Sequence, residues 1–190
     1  MIKLIICVVF VVLLVSPIEV RDAPVPFVYV EPILHEAVIE VVPVVDAAPE
    51  ILIYDIKLSE ELQRYAYELC NKYDIVDYYS LVLAVMWQES NFTPNLISRT
   101  NDYGLMQINR VNHKWLANKL GIVDFLDAEQ NIEAGVYLLS EYLHEYENEH
   151  KALMSYNFGV NGAARHWAAG TYSSKYSRAV TAKQELLQKE

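Results

Sequence analysis

Residues 56–190 read as a mainly α domain with one long loop, or a small hairpin, after its second helix. Three observations predict this. From Leu58 onward apolar residues recur at helical spacing, and no strand-like alternation of any length follows residue 55. Cap and stop residues punctuate that pattern at helix-length intervals. Residues 91–108 contain Pro94 and lose the periodicity, as a loop does.

The elements follow in order. Ser59 is placed to cap a first helix, with Glu60 and Glu61 in its first turn and Leu62, Tyr65, Ala66 and Leu69 as its apolar stripe. Asp77 is expected to cap the second helix, whose apolar run Leu81–Trp87 leads to Glu89. A third helix covers Val111–Leu120 and stops at Gly121. Asp127 caps the longest helix, with Ile132, Val136, Leu139 and Leu143 on one face. Residues 150–158, 161–169 and 173–188 complete the set, with Asn161 and Ser173 as caps and Gly159 and Gly170 as stops.

The N-terminal third differs. Met1-Ile2-Lys3 leads into Leu4–Val15, which carries no charge, and then Ser16-Pro17. A basic start before a short apolar run reads as a signal peptide or a membrane anchor over residues 1–16. The run is shorter than the ~20 residues of an ordinary spanning helix. Either reading places the protein outside the cytoplasm, secreted or anchored at the cell envelope. Contact with the membrane is then expected only through this segment. Six of the seven prolines fall between Pro17 and Pro49. Residues 17–55 also carry eight acidic residues against Arg21 alone. Spaced prolines block helices and central strands, and like charges extend a chain, so residues 17–55 read as an acidic stalk. Two apolar stretches within it, Phe27–Val30 and Ile51–Ile53, are candidates to dock on the domain or on a partner.

Composition excludes several function classes. The net charge is −10, and residues 56–190 hold seventeen acids against thirteen bases, so there is no electrostatic footprint for nucleic acid. Cys7 and Cys70 are the only cysteines, which excludes a disulfide framework. No Cys/His cluster has metal-ligand spacing, and no cofactor or metal is expected. The five histidines are scattered and form no constellation with a nucleophile.

Glu89 is the candidate for chemistry. A carboxyl at the end of an apolar helix is poorly solvated, and the negative end of the helix dipole lies close by. Both raise its pKa, and a carboxyl still protonated near neutral pH can give its proton to a leaving oxygen. Four ordered segments extend the case: Glu89-Ser90, Gly104-Leu105-Met106-Gln107-Ile108-Asn109, Ser155-Tyr156-Asn157-Phe158-Gly159, and Tyr176-Ser177-Arg178-Ala179-Val180.

In that order, over roughly residues 70–182, they resemble the catalytic domain of the soluble lytic transglycosylases, a lysozyme-like family that cuts peptidoglycan. The resemblance implies an α+β lysozyme-like fold and a lytic transglycosylase acting on glycan strands. Glu89 is the implied single acid and base. It would cleave the β-1,4 bond between N-acetylmuramic acid and N-acetylglucosamine, leaving a 1,6-anhydro end. No carboxylate nucleophile is needed if the substrate's own acetamido oxygen stabilises C1. The matched positions implied to bind substrate are Ser90, Met106, Gln107, Tyr156, Asn157 and Tyr176. Several also have a structural reading: capping for Ser90, core packing for Met106 and Gln107, a buried tyrosine for Tyr176. Gly104 would let backbone approach a sugar ring. Trp87, Tyr103, Trp115 and Trp167 are candidate groove aromatics. An envelope-spanning assembly is a second candidate partner.

The chain departs from the family at Ser155, usually alanine, and at Ile108-Asn109, where many members have an apolar residue and then proline. Asp102-Tyr103-Gly104 also resembles animal-type lysozymes. Two alternatives therefore stay open. One is a lysozyme-type hydrolase in which Asp102 activates water, although Asn101-Asp102 is also a strong turn former. The other is a non-catalytic glycan-binding wall module.

Overall fold

The computed structural model describes residues 51–189. The expected signal or anchor, and all of the expected stalk before residue 51, lie outside the described residues. The described part is mainly helical, with one small hairpin inserted after the second helix. Among the described residues no helix is long and apolar enough to cross a membrane.

Helix α1 (Glu60–Lys72) is capped by Ser59, whose hydroxyl accepts the Leu62 N–H at 3.3 Å. Its buried face contains one polar residue, Gln63. The Gln63 amide accepts from the Tyr54 N–H at 2.9 Å and donates to the Tyr54 and Leu58 carbonyls at 3.1 and 2.9 Å. That clamp ties residues 54–58 to α1 and leaves Tyr54 and Leu58 in the core. Cys70 is fully buried and burial pushes its thiol up to about 12, so it serves as a small core residue.

Helix α2 (Tyr79–Ser90) departs from expectation at its start. Asp77 lies in a 3₁₀ turn, Val76–Tyr78, that runs directly into the helix, and no side chain caps α2. Residues Tyr79–Met86 are all buried. A helix apolar on every side belongs in an interior, and α1 and α6 both pack on this one. The helix ends where Asn91 turns left-handed at φ 50°.

The following loop carries the hairpin. Strands β1 (Asp102–Tyr103) and β2 (Ile108–Asn109) pair antiparallel, with Asp102 opposite Asn109 and Tyr103 opposite Ile108. The turn between them uses Gly104 at φ 76° and Gln107 at φ 47°. The side chain of Asn131 fixes this turn from outside. It accepts the Met106 N–H at 2.8 Å and donates to the Tyr103 and Phe125 carbonyls at 2.7 and 2.8 Å.

Helix α3 (Arg110–Leu120) ends at Gly121, as its sequence predicts, and Asn109 caps its start. Asp127 caps α4 (Ala128–Tyr146) by accepting the Gln130 N–H at 2.9 Å. The segment α5 (Glu149–Ala168) is two helices joined across a kink at Gly159, whose φ 68° and ψ 160° are not helical, as its sequence predicts; Asn148 caps the first of them. Ser174, not Ser173, caps α6 (Lys175–Leu187) in a reciprocal capping box with Ser177. Ser173 instead receives the Arg178 guanidinium at 3.0 Å. Helices α4 and α5 pack together, and α4 also packs on α1.

Two changes test this framework. Asn131→Ala leaves three buried backbone groups unpaired and lowers unfolding stability by about 3 kcal/mol in urea titration. A Cβ at Gly135 on α4 would overlap the Met106 Sδ. Gly135→Ala therefore costs about 1–3 kcal/mol by the same measurement.

Candidate active site

A cleft of about 680 Å³ opens between the hairpin, α2 and α5. The last turn of α2 contributes Glu89 to it. The hairpin and its approach contribute Thr100, Asp102, Gln107, Ile108 and Asn109. Helix α4 supplies Leu138 and Tyr142, and the kinked stretch of α5 supplies Ser155–Val160. A 350 Å³ recess adjoins it, sharing Asn157 and Phe158 and adding Gln88, Lys175 and Tyr176.

Glu89 is partly buried, and its carboxyl is raised from an ordinary 4.5 to about 7. Desolvation is the largest cause. The hydrogen bond from Tyr176 pulls the other way, and the charge of Asp102 pushes further up. The Tyr176 hydroxyl donates to Glu89 Oε1 at 2.5 Å, joining α6 to α2. Burial holds the Tyr176 and Tyr156 phenols well above their usual value, so both stay neutral donors. The surroundings of Glu89 are thus tyrosines from distant helices rather than its sequence neighbours. Met86 is in the core, and Trp87 faces Phe92 at 6.3 Å between ring centroids.

The remaining sequence-derived candidates divide into two groups. Gln107, Tyr156 and Asn157 line the cleft with Glu89. The Gln107 amide donates to the Gly104 and Leu96 carbonyls at 2.8 and 3.2 Å, which leaves its oxygen to face a ligand. The Tyr156 hydroxyl donates to the Met106 carbonyl at 2.8 Å, so only its oxygen lone pairs remain to receive a ligand N–H. Ser90 and Met106 lie behind the cleft. Ser90 is buried; its hydroxyl donates to the Met86 carbonyl and accepts the Thr93 N–H, both at 3.2 Å, closing the end of α2. Met106 is fully buried against Gly135, and its backbone, not its side chain, positions Tyr156. Gly104 receives the side chain of Asn131, where the sequence pointed to a sugar ring.

None of Trp87, Tyr103, Trp115 and Trp167 lines the cleft. Tyr103 packs edge-on against His113, and Trp167 against Tyr146. Tyr142, Asn109 and Asn112 line it instead. In the sequence Tyr142 stands at helical spacing from Tyr146, a pattern that core or surface packing explains equally well. Among the described residues no group of three or more His, Cys, Asp or Glu could hold a metal ion.

The position of Glu89 makes two predictions. The folded state holds its proton up to about pH 7 while the unfolded chain releases it near 4.5. Stability therefore falls as pH rises through that window. Glu89→Gln removes this slope and is more stable than the wild type above pH 7, by an amount on the order of 2 kcal/mol once residual solvent exposure is allowed for. Urea unfolding at several pH values reads it. Tyr176→Phe removes the bond that favours the charged form, so the Glu89 carboxyl resonance titrates at a higher pH in ¹³C NMR.

A family model described as the Transglycosylase SLT domain matches residues 70–180. Among curated proteins the chain is 39% identical over 88 residues to membrane-bound lytic murein transglycosylase F of Desulfosudis oleivorans, covering 43% of this chain and 18% of that protein. It is 37% identical over 93 residues to the transglycosylase of Enterobacteria phage PRD1, covering 49% and 33%. It is 34% identical over 120 residues to membrane-bound lytic murein transglycosylase C of Pectobacterium atrosepticum, covering 53% and 31%. The chain thus spans a third or less of the length of these relatives. Among solved structures, an inactive mutant of the lytic transglycosylase Slt from Pseudomonas aeruginosa superposes with a TM-score of 0.57 at 18% identity, over 67% of this chain and 24% of that one. This likeness concerns the fold. The family match runs from Cys70 on α1 to Val180 on α6, across every helix that walls the cleft, and this chain belongs to the Transglycosylase SLT domain family.

Proposed function

We propose that the chain is a lytic transglycosylase of the peptidoglycan wall. It cleaves the β-1,4 bond between N-acetylmuramic acid and N-acetylglucosamine and leaves a 1,6-anhydro end. The observation that carries this reading is a single carboxyl raised to about 7 on the wall of an open cleft, hydrogen-bonded by Tyr176. Its similarity to lytic murein transglycosylases F and C supports the same substrate.

The chemistry follows from that carboxyl. Protonated Glu89 gives its proton to the glycosidic oxygen, and the C1–O bond breaks. The acetamido oxygen of the same sugar bonds to C1. Glu89, now charged and steadied by Tyr176, takes the proton of the C6 hydroxyl, which closes onto C1 as the C1–acetamido bond breaks. One group acting first as acid and then as base works best with a pKa near the working pH. Gln107, Tyr156 and Asn157 supply polar contacts to the acetamido groups, and Tyr176 tunes the acid. Ser90 and Met106 serve the reaction by holding the end of α2 and the hairpin turn.

The apolar segment 1–16 and the acidic stalk 17–55 complete the proposal. They would export the domain, 56–190, and hold it at the envelope, where its substrate lies. An envelope-spanning assembly that needs the wall opened locally is a fitting partner for the stalk.

Digestion of purified wall sacculi tests the reading. The expected products have anhydro ends, one water lighter by mass than reducing ends. Glu89→Gln should lower turnover by about a thousandfold or more while glycan binding persists. Reducing ends would make the enzyme a hydrolase, and an unchanged rate in Glu89→Gln would remove the mechanism.

A further inference from the structure

Helix α3 buries a single residue, Leu116, and leaves two large apolar side chains in solvent: Val111 is 81% exposed and Trp115 42% exposed. Val111 and Asn112 line the cleft, and Trp115 does not. Helical geometry turns about 100° per residue, so Trp115 points about 40° from Val111, between the directions of Val111 and Asn112. It lies one turn and about 6 Å further along the axis. Trp115 therefore continues the α3 wall past the residues that border the cleft. The indole is fixed although it is exposed. Its Nε1–H donates to Asn112 Oδ1 at 3.1 Å, and its ring meets the ring of Tyr137 edge-on, with centroids 6.3 Å apart. Tyr73 backs Tyr137 in turn at 5.5 Å. A ring held this way gives up little rotamer freedom when a ligand arrives. It suits a ligand with an apolar face and a polar rim, and a sugar ring has C–H groups on one face and hydroxyls around its edge. Asn112 complements it: the indole takes its oxygen, which leaves its NH2 group to donate to a ligand.

We propose that Trp115 is an outer stacking platform for the glycan strand, holding a sugar beyond the unit that Val111 and Asn112 border. The proposal rests on the glycan-cleaving reading above. The occupant is the same strand that fills the cleft, because the platform is continuous with the cleft wall. A second protein does not fit: Val111 and one indole offer far less than the ~800 Å² that each partner of a stable protein interface buries. Trp115 touches no reacting atom and no bond changes there. It adds grip on strands long enough to leave the cleft along α3. The enzyme thus favours long strands as substrate and releases short fragments.

The test is Trp115→Ala, read with a long and a short ligand. Binding is measured by calorimetry in a Glu89→Gln background, so that the ligand survives. Chitohexaose should bind about tenfold more weakly than to the Glu89→Gln parent, while chitotriose changes by less than about twofold. On wall sacculi, with Glu89 in place, Trp115→Ala should raise KM about tenfold and leave kcat within about twofold. The indole N–H signal of Trp115, identified in ¹⁵N NMR by its loss in Trp115→Phe, should shift on adding chitohexaose and not on adding chitotriose. This readout uses the native ring and decides the matter if Trp115→Ala does not fold. Unchanged chitohexaose affinity, equal weakening of both ligands, or an indole signal that chitohexaose leaves in place overturns the proposal. Wild-type digestion separates the two readings. Sacculi left intact by the wild type reject the glycan-cleaving reading, whereas sacculi cut by Trp115→Ala at an unaltered KM reject only the platform.

Discussion

The hydrogen bond from Tyr176 to Glu89 joins the last helix of the domain to the second at the wall of the cleft. It exists because α6 packs on α2, which places a residue from the last helix within reach of the second. Burial alone would leave Glu89 neutral over a wide range and useless as a base. A fully solvated carboxyl would be ionised and useless as an acid. Desolvation against one strong donor leaves it at about 7, where both roles are open to it. The close packing of α2 along Tyr79–Met86 denies the helix any freedom to slide, so this balance is set by the core.

The opposite wall of the cleft has almost no regular structure of its own. Two-residue strands and a tight turn would be marginal in isolation. Side-chain amides and hydroxyls from other elements make up the deficit. Asn131 on α4 holds the turn by two hydrogen bonds and ties it to the Phe125 carbonyl by a third, and Tyr156 on α5 donates to the Met106 carbonyl. Each is buried or partly buried, where an unmet partner is costly, so the arrangement tolerates little rearrangement. The hairpin is therefore held as firmly as the helices around it, which a cleft wall that must place polar groups requires.

Two carboxylates share the cleft in opposite settings. Few donors meet Glu89, and its pKa rises; three meet Asp102, and its pKa falls. Environment alone, not residue type, separates a proton donor from a permanent charge. The separation reinforces itself, because the charge on Asp102 also helps keep the proton on Glu89.

Much of the fold was legible in the chain itself. Ser59, Asp127 and Gly121 mark helix ends by local hydrogen bonding and by backbone conformation, and these act within a few residues. Ser173 and Ser174 compete for one cap with the same chemistry, and Asp77 yields to a 3₁₀ turn, so local rules could not rank them. At the site, the ordered segments around Glu89, Gln107 and Tyr156 were readable. The sequence could not show that Ser90 and Met106 face inward, that four aromatic candidates miss the cleft, or that Asn131 clamps the hairpin. Residue types and caps settle helices, because their interactions span a turn or less. Which side chains share a cleft, and what proton affinity they acquire there, depends on packing between segments up to 87 residues apart, and that belongs to the tertiary structure alone.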